Sequence, residues 1–470
     1  MMTITLETPN IQPHIAPPLD TAFCPLVLAN HAFSHAVAES GHATPLVFTL
    51  ERQDGKCSRF ETAVFSLGTQ GCEGNIVYAE RVLKSLLWMR GGWRVYVGGP
   101  SEVGSILQQM YSPNGQRAFD AAFMGRVYEE EFTVQPCSPN DVFGGQEVFP
   151  KRDGHLEGCR IGFDAGASYR KVAALIDGNV VFSAAMAWDP QSQHDPQYHY
   201  GKIMEALCAA AEHLPRVDAI GISAAGAYIN KRTRISSLFR SVPDALFKEK
   251  ITNLFPNIQH AWGDVPLEVA NDGDITALAG AMAMGNTGML GISMGSSEAG
   301  GYVTTDGTLT DWLNELAFVP LDLQRDAYID EWSGDTGCGV QYLSQQAVGR
   351  LARAAGLPVD PSLSNSACLM AVQQLASAGD ERVRPIYETI GTYLGYAVAY
   401  YADFYDFHHA LILGGVTAGE GGTIMMDSAR SVIKHEFPSL SEVITLQIPD
   451  ESHRYVGQAI AAASLPVLRT

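Results

Sequence analysis

"IGFDAGASYRKVAALIDG", residues 161–178, runs an apolar segment into Asp164, follows it with small residues through Ser168, and resumes as a second apolar segment that stops at Asp177-Gly178. The pattern predicts a strand, a tight loop and a returning strand, because Asp-Gly suits the left-handed positions of a two-residue hairpin turn. The first loop is the informative one. Glycine and small side chains let backbone N–H groups approach an anion, while a carboxylate at the strand end faces the same gap and can hold a divalent cation through water. Asp164, Gly166 and Ser168 occupy those positions. An ordinary hairpin can also contain Asp-x-Gly, so this segment alone leaves both readings open.

Outward from it, strands and helices alternate. Strands are expected at 160–164, 171–176, 179–184, 217–222, 266–270, 289–293, 300–305, 410–413 and 442–447, with helices at 200–213, from about 273, and after the last strand. Such alternation implies an α/β fold whose sheets are covered by helices. Before residue 155 the signals differ. "PLVFTLERQDGKCSRFETAVFS" (45–66) reads as a hairpin turning at Asp54-Gly55, followed by the helix-like "VYAERVLKSLLWM" (77–89), the strand "WRVYVGG" (93–99) and a helix from Ser101. "CSPNDVFGGQEVFPKRDGH" (137–155) reads as a linker, and the proline-rich "LETPNIQPHIAPPLD" (6–20) as an arm or loose end. Similar intervals from Asp54 to Val95 and from Asp177 to Ala219 leave open a degenerate repeat of one sheet topology. An unrelated α+β domain is the simpler reading.

With 470 residues, 46% hydrophobic and 17% charged, the chain has the balance of a globular protein able to bury large cores. A formal charge of −20 opposes sequence-independent binding to phosphate backbones, so no nucleic-acid partner is expected. The basic stretch "NKRTRISSLFR" (230–240) reads as a solvated loop and helix start. Eight cysteines are scattered without C-x-x-C pairs, which favours a reduced compartment. "MMTITLETPN" lacks the features of a secretory signal, and "TIGTYLGYAVAYYADFY" (389–405) is broken by glycines, so no membrane span and a cytoplasmic location are expected.

Three further segments bear on chemistry. "LGISMGSSEAGGYVTTDG" (290–307) breaks a strand at Gly295, Ser296 and Ser297, residues whose backbone donors and hydroxyls can cradle phosphate, or simply turn the chain. "PLEVANDGDITALAGAMAMG" (266–285) delivers Asn271-Asp272 to a helix start. Asp272 there can cap the helix, or serve as the general base that accepts a hydroxyl proton during attack on phosphorus. "HHALILGGVTAGEGG" (408–422) opens a buried strand into Gly414-Gly415, where a flat ring or ribose can approach the backbone.

The order of these four elements over residues 160–470 resembles the sugar kinase, actin and heat-shock ATPase superfamily, and more closely its ROK family of sugar kinases and repressors. Residues 1–155 lie outside the resemblance. It implies a two-lobed ribonuclease H-like (actin-like ATPase) fold with an additional N-terminal α+β domain. The domains expected are 1–155, of unknown role, then 156–286 as the first lobe and 287–470 as the second, whose last helix can return to the first lobe. The family's D-x-G-G-T loop is similar to Asp164-Ala165-Gly166-Ala167-Ser168, its G-T-G-x-G-G-G loop to Gly295 through Gly301, its E-N-D-A segment to Ala270-Asn271-Asp272-Gly273, and its adenine-side G-G-G-V to Gly414-Gly415-Val416.

By this resemblance Asp272 is the catalytic base, and Asn271, Glu315, Ala225 and Gly226 line the acceptor. Asp164, Gly166, Ser168, Gly295, Ser296, Ser297, Gly414 and Gly415 hold ATP, with Mg2+ at Asp164 through water. The implied activity is ATP-dependent phosphorylation of a sugar or polyol hydroxyl by a homodimer. The alternative is a catalytically degenerate ligand-binding or regulatory protein, without a helix-turn-helix. The family's zinc-binding histidine and cysteines correspond to Phe318, Glu331, Ser333 and Cys338, and its last sugar-contacting glutamate to Val340. One cysteine cannot supply a four-coordinate zinc site, so no zinc is expected. Glu298, inside the second loop, is unfavourable beside an anion unless it points away or meets a metal.

Overall fold

The computed structural model describes residues 11–142, 144, 145, 147, 149, 154–360, 362–449 and 457–468. Parts of the expected N-terminal arm and of the 137–155 linker lie outside the described residues.

The N-terminal domain contains α1 (Leu26–Glu39), β1 (Ala43–Glu51), β2 (Cys57–Phe65), α2 (Asn75–Arg90), β3 (Arg94–Gly98), α3 (Ser101–Met110), α4 (Ala118–Tyr128) and β4 (Thr133–Cys137). The sheet order is β2-β1-β3-β4. The 45–66 hairpin is present, with Asp54 and Gly55 at φ 60° and 71°. β3 runs antiparallel to β1. The strand after a crossover helix is parallel to the first strand in the lobe described next, so the N-terminal sheet does not repeat the lobe's topology.

The first lobe is β5 (Cys159–Ala165), β6 (Tyr169–Ile176), β7 (Asn179–Ala187), α5 (Pro196–Ala211), β8 (Ala219–Ala224), the ribbon β9 (Ala227–Ile229) and β10 (Arg232–Ile235), α6 (Leu254–Ala261), β11 (Leu267–Asn271) and α7 (Asp272–Met284). Its sheet order is β11-β8-β5-β6-β7, with β5, β8 and β11 parallel and the β5-β6-β7 meander antiparallel. This is the ribonuclease H-like arrangement. The basic stretch 230–240 departs from its expectation. Arg232–Ile235 is a strand paired with β9, Thr233 is fully buried, and Arg234 is only 7% exposed because it turns toward Glu129 of the N-terminal domain.

The second lobe holds β12 (Met289–Met294), β13 (Glu298–Val303), α8 (Gln345–Ala354), α9 (Asn365–Ser377), α10 (Arg384–Ala402), β14 (His409–Leu413), α11 (Gly419–Glu436) and β15 (Thr445–Gln447), with sheet order β13-β12-β14-β15. The closing helix α12 (Gly457–Ala463) lies on β5 and β8 of the first lobe. A Cβ on Gly162 or Gly221 would fall 1.7 Å from a carbonyl of this helix, so both positions need glycine for the contact.

The cores divide unevenly. One continuous core joins α1, α2 and the N-terminal sheet to α8, α10, α11, β12 and β14, the sheet of the first lobe has its own core around Phe163, Ile220 and Phe255, and a smaller cluster seats α7 and α12 against β12, β13 and β14. The N-terminal domain and the second lobe therefore form one body. Residues 389–405, read as the most apolar helix, lie largely within α10 at the centre of that body. Among the described residues, no helix is long and apolar enough to cross a membrane.

Candidate functional site

The C-terminal ends of β5, β8 and β11 deliver Asp164, Ala224 and Asn271 to one rim, as expected where an open parallel sheet presents its ligand-binding edge. Asp164 is 3% exposed; its Oδ1 accepts from Ser223 Oγ at 2.8 Å, and Lys171, directly opposite on β6, approaches Oδ2 at 3.3 Å. Gly166, Ala167 and Ser168 form the loop that follows, with Ser168 exposed.

At the tip of β11, Asn271 caps α7 by accepting from the Gly273 N–H at 2.7 Å, and its Nδ2 donates to the Gly226 carbonyl at 2.8 Å. Asn271 thereby takes over the capping role that Asp272 could have filled, and it draws Ala225-Gly226 against the helix start. Asp272 is the first residue of α7 and half-buried. Burial, and then the charge of Asp164, push its carboxyl up to about 6. Glu315 is pushed to about 7 by burial and then by Asp272. Glu315 therefore senses the charge of Asp272 across the space between α7 and the 314–319 segment.

Sequence reading missed Asp274. It is buried in the first turn of the same helix, raised to about 7 by burial, and accepts from Tyr302 N at 3.2 Å and Asn314 Nδ2 at 2.8 Å. Those bonds tie α7 to β13 and to the turn that carries Glu315. The signal was available as the second acid of "NDGD", but nothing in the sequence distinguishes it from an exposed first-turn carboxylate.

The second glycine loop joins this centre. A Cβ on Gly273 would lie 2.1 Å from the Gly300 carbonyl oxygen, and one on Gly301 only 2.0 Å from that of Gly273, so glycine alone lets α7 and β13 meet backbone to backbone. Gly295 bonds to the Ser297 carbonyl at 3.0 Å, leaving Ser296 and Ser297 exposed, and its own carbonyl accepts from Gln345 N at 2.9 Å at the start of α8. Gly414, at φ 102°, packs against Met294; a Cβ there would stand 2.4 Å from the Met294 carbonyl. The turns at 295–297 and 414–415 are thus adjacent. Glu298 points away from them: it is buried, accepts from Tyr401 at 2.7 Å, and is raised to about 8 by burial.

The 315–340 segment is built differently. Phe318 stacks on Trp88 of α2 at 4.1 Å, with Phe119 and Phe123 of α4 within 5.8 and 6.2 Å of it, and Glu315 N donates to the Trp88 carbonyl at 2.9 Å. Val340, Cys338 and Ala317 form a small apolar cluster beside Phe318, and burial pushes the Cys338 thiol up to about 12. Ser333 donates to Asp330 at 2.6 Å. Behind this segment three cations meet three carboxylates, all less than a tenth exposed. Lys84 lies 2.7 Å from Asp335 and 3.3 Å from Asp120; Arg117 and Arg81 reach Asp335 at 2.7 and 3.1 Å and Glu80 at 2.5 and 2.6 Å. Burial works against ionising Asp335, yet the Arg81 guanidinium and Lys84 ammonium hold it below its ordinary value. Five of the six charges come from the N-terminal domain.

This architecture, two ribonuclease H-like lobes facing each other across glycine turns, defines the class of actin-like ATPase folds. Within that class the fold is the one seen in ROK proteins. The structure matches the ROK hexokinase from Thermus thermophilus with a TM-score of 0.52 at 19% sequence identity, covering 66% of this chain and 97% of that one. It matches a ROK family transcriptional regulator, a homolog of the E. coli MLC protein, with a TM-score of 0.52 at 20% identity, covering 66% of this chain and 79% of that one. At such identities the likeness is one of fold, and about a third of this chain lies outside it. No family model matches the chain, and no curated protein does.

Proposed function

We propose that the chain is a kinase that transfers the γ-phosphoryl group of ATP to a hydroxyl of a sugar or polyol, within a two-lobed unit comprising residues 156–286 and 287–470. The observation that carries this reading is Asp272. It stands at a helix start already capped by Asn271, half-buried, with its carboxyl near 6, between Asp164 and the Gly300-Gly301 backbone of β13. A carboxylate with that value is ionised at neutral pH yet more basic than a free aspartate, as suits a general base.

In the reaction, Asp272 accepts the acceptor's hydroxyl proton as that oxygen bonds to the γ-phosphorus, and the bond to the bridging oxygen breaks to leave ADP. Exposed N–H groups and hydroxyls of the 166–168 and 295–297 loops hold the phosphates, and Gly414-Gly415 receives the nucleoside. Lys171 adds a positive charge beside them. Asn271, Glu315 and the Ala225-Gly226 wall orient the acceptor. The donor set fits a hard divalent cation: Asp164 is a carboxylate held in place by Ser223, and its charge raises Asp272, a repulsion that a cation relieves. When bound, Mg2+ neutralises phosphate charge. Zinc has no place in this reading.

The test is transfer of label from γ-labelled ATP to a panel of hexoses, N-acylated amino sugars and polyols. Turnover with at least one acceptor is expected, falling by about a hundredfold or more in Asp272→Asn while nucleotide affinity changes little. Tight nucleotide binding without transfer to any acceptor would instead favour a degenerate ligand-binding protein. One feature favours that second reading: Phe318 and Val340 stand where the resemblance expects two polar sugar contacts, and Phe318 is stacked on Trp88.

A further inference from the structure

A cavity of about 400 Å³ lies away from Asp272, between α4 of the N-terminal domain and the β9–β10 ribbon of the first lobe. It sits at a joint between the body formed by the N-terminal domain with the second lobe and the separately cored first lobe. Its size suits a small molecule.

The lining is not that of a packing defect. Arg126 comes from α4, Arg234 from β10 and Lys248 from the segment before α6, set against Glu129 and Asp244. Glu129 is shared, pairing with Arg234 and also with Arg232 at 3.2 Å. Cations therefore outnumber carboxylates. Two donors are left over: Arg234 Nε and Thr233 Oγ1, on side chains 7% and 0% exposed, have no hydrogen-bond partner among the described residues. Buried donors without partners are rare because each forfeits its hydration, so a cavity lined by their side chains points to a ligand that completes them. Three cations against two carboxylates match an anionic phosphate better than a neutral sugar. The Phe247 ring, 5.8 Å from the Arg126 guanidinium, supplies an apolar wall for the rest of the molecule.

We propose that this cavity is a binding site for a small organic phosphate, which bridges α4 and β10 and so fixes the first lobe relative to the rest of the chain. The site is distinct from the Asp272 cleft and stands whether or not that cleft is catalytic.

Isothermal titration of the full chain, without ATP, with a hexose 6-phosphate, the same hexose and inorganic phosphate tests it. The sugar phosphate should bind most tightly. Arg126→Glu with Lys248→Glu, both at exposed positions, should weaken it at least tenfold with the unliganded melting temperature unchanged. Arg234→Gln should weaken it comparably, and the double variant decides the matter if that one fails to fold. Absence of binding by the sugar phosphate, affinity unchanged in the double variant, or equal affinity for hexose, inorganic phosphate and sugar phosphate would each overturn the proposal.

Discussion

The two sides of the cleft solve different problems with different materials. On the proposed nucleotide side, the contacts are backbone against backbone: Gly273 on Gly300 and Gly301, Gly414 on Met294, with short hydroxyl residues left facing outward. On the proposed acceptor side they are largely side chain against side chain, and five of the six buried charges behind it come from outside the two lobes. Trp88 and the Lys84, Arg81 and Arg117 cluster hold the 315–338 segment that the resemblance expects a metal to hold. A glycine contact permits almost no substitution, so its pattern stays visible in a sequence. A buried ion cluster can be assembled from any segments that happen to meet, so it does not.

The largest effect is expected where the acceptor side depends on the N-terminal domain. Replacing Lys84, fully buried between Asp120 and Asp335, with Met leaves the buried Asp120 carboxylate without its cation. Losing one partner of a buried pair costs about 3–5 kcal/mol. Urea unfolding of Lys84→Met should show a loss of that order, and a change near zero would mean that the cluster does not hold the domains together. Next comes Gly414→Ala on the nucleotide side. Its φ of 102° and the 2.4 Å approach to Met294 admit no side chain without displacing the 295–297 turn. A loss of about 1–3 kcal/mol is expected, with weaker ATP binding by titration; unchanged affinity would detach Gly414 from the nucleotide site.

The smallest effect at low pH concerns Glu298. Its carboxyl, near 8 in the folded chain against an ordinary value of 4.5, keeps a proton that the unfolded chain releases between those pH values. The folded state therefore loses stability as pH rises from about 4.5 through about 8. Glu298→Gln, which mimics the protonated acid, should change stability by about 1 kcal/mol or less at low pH and gain on the wild type as pH rises. A constant difference from pH 5 to 9 would show that Glu298 is already ionised.

Much of the lobe fold could be read directly. Strand ends at Asp164, Asn271 and Leu413, each followed by small residues, gave element types and order because tight loops restrict composition. The N-terminal domain was less legible. α1 begins after Pro25 and α4 after Arg117, neither with a side-chain cap, and the edge strand β4 contains Pro136. Helix and strand starts without these signals give little to read. Polar Glu80, Arg81 and Lys84 look like the wet face of a helix, and only the fold reveals that they are buried. Likewise, Ser223 and Lys171 reach Asp164 only through strand pairing.

The central claim is that Asp272, raised by its burial and by Asp164, is the base at the meeting point of the two sides. The pH dependence of kcat/KM for phosphoryl transfer tests it most directly. An acid limb that rises with deprotonation through about pH 6 is expected, lost together with activity in Asp272→Asn. A profile flat across that range, or a variant that keeps both rate and limb, would contradict it.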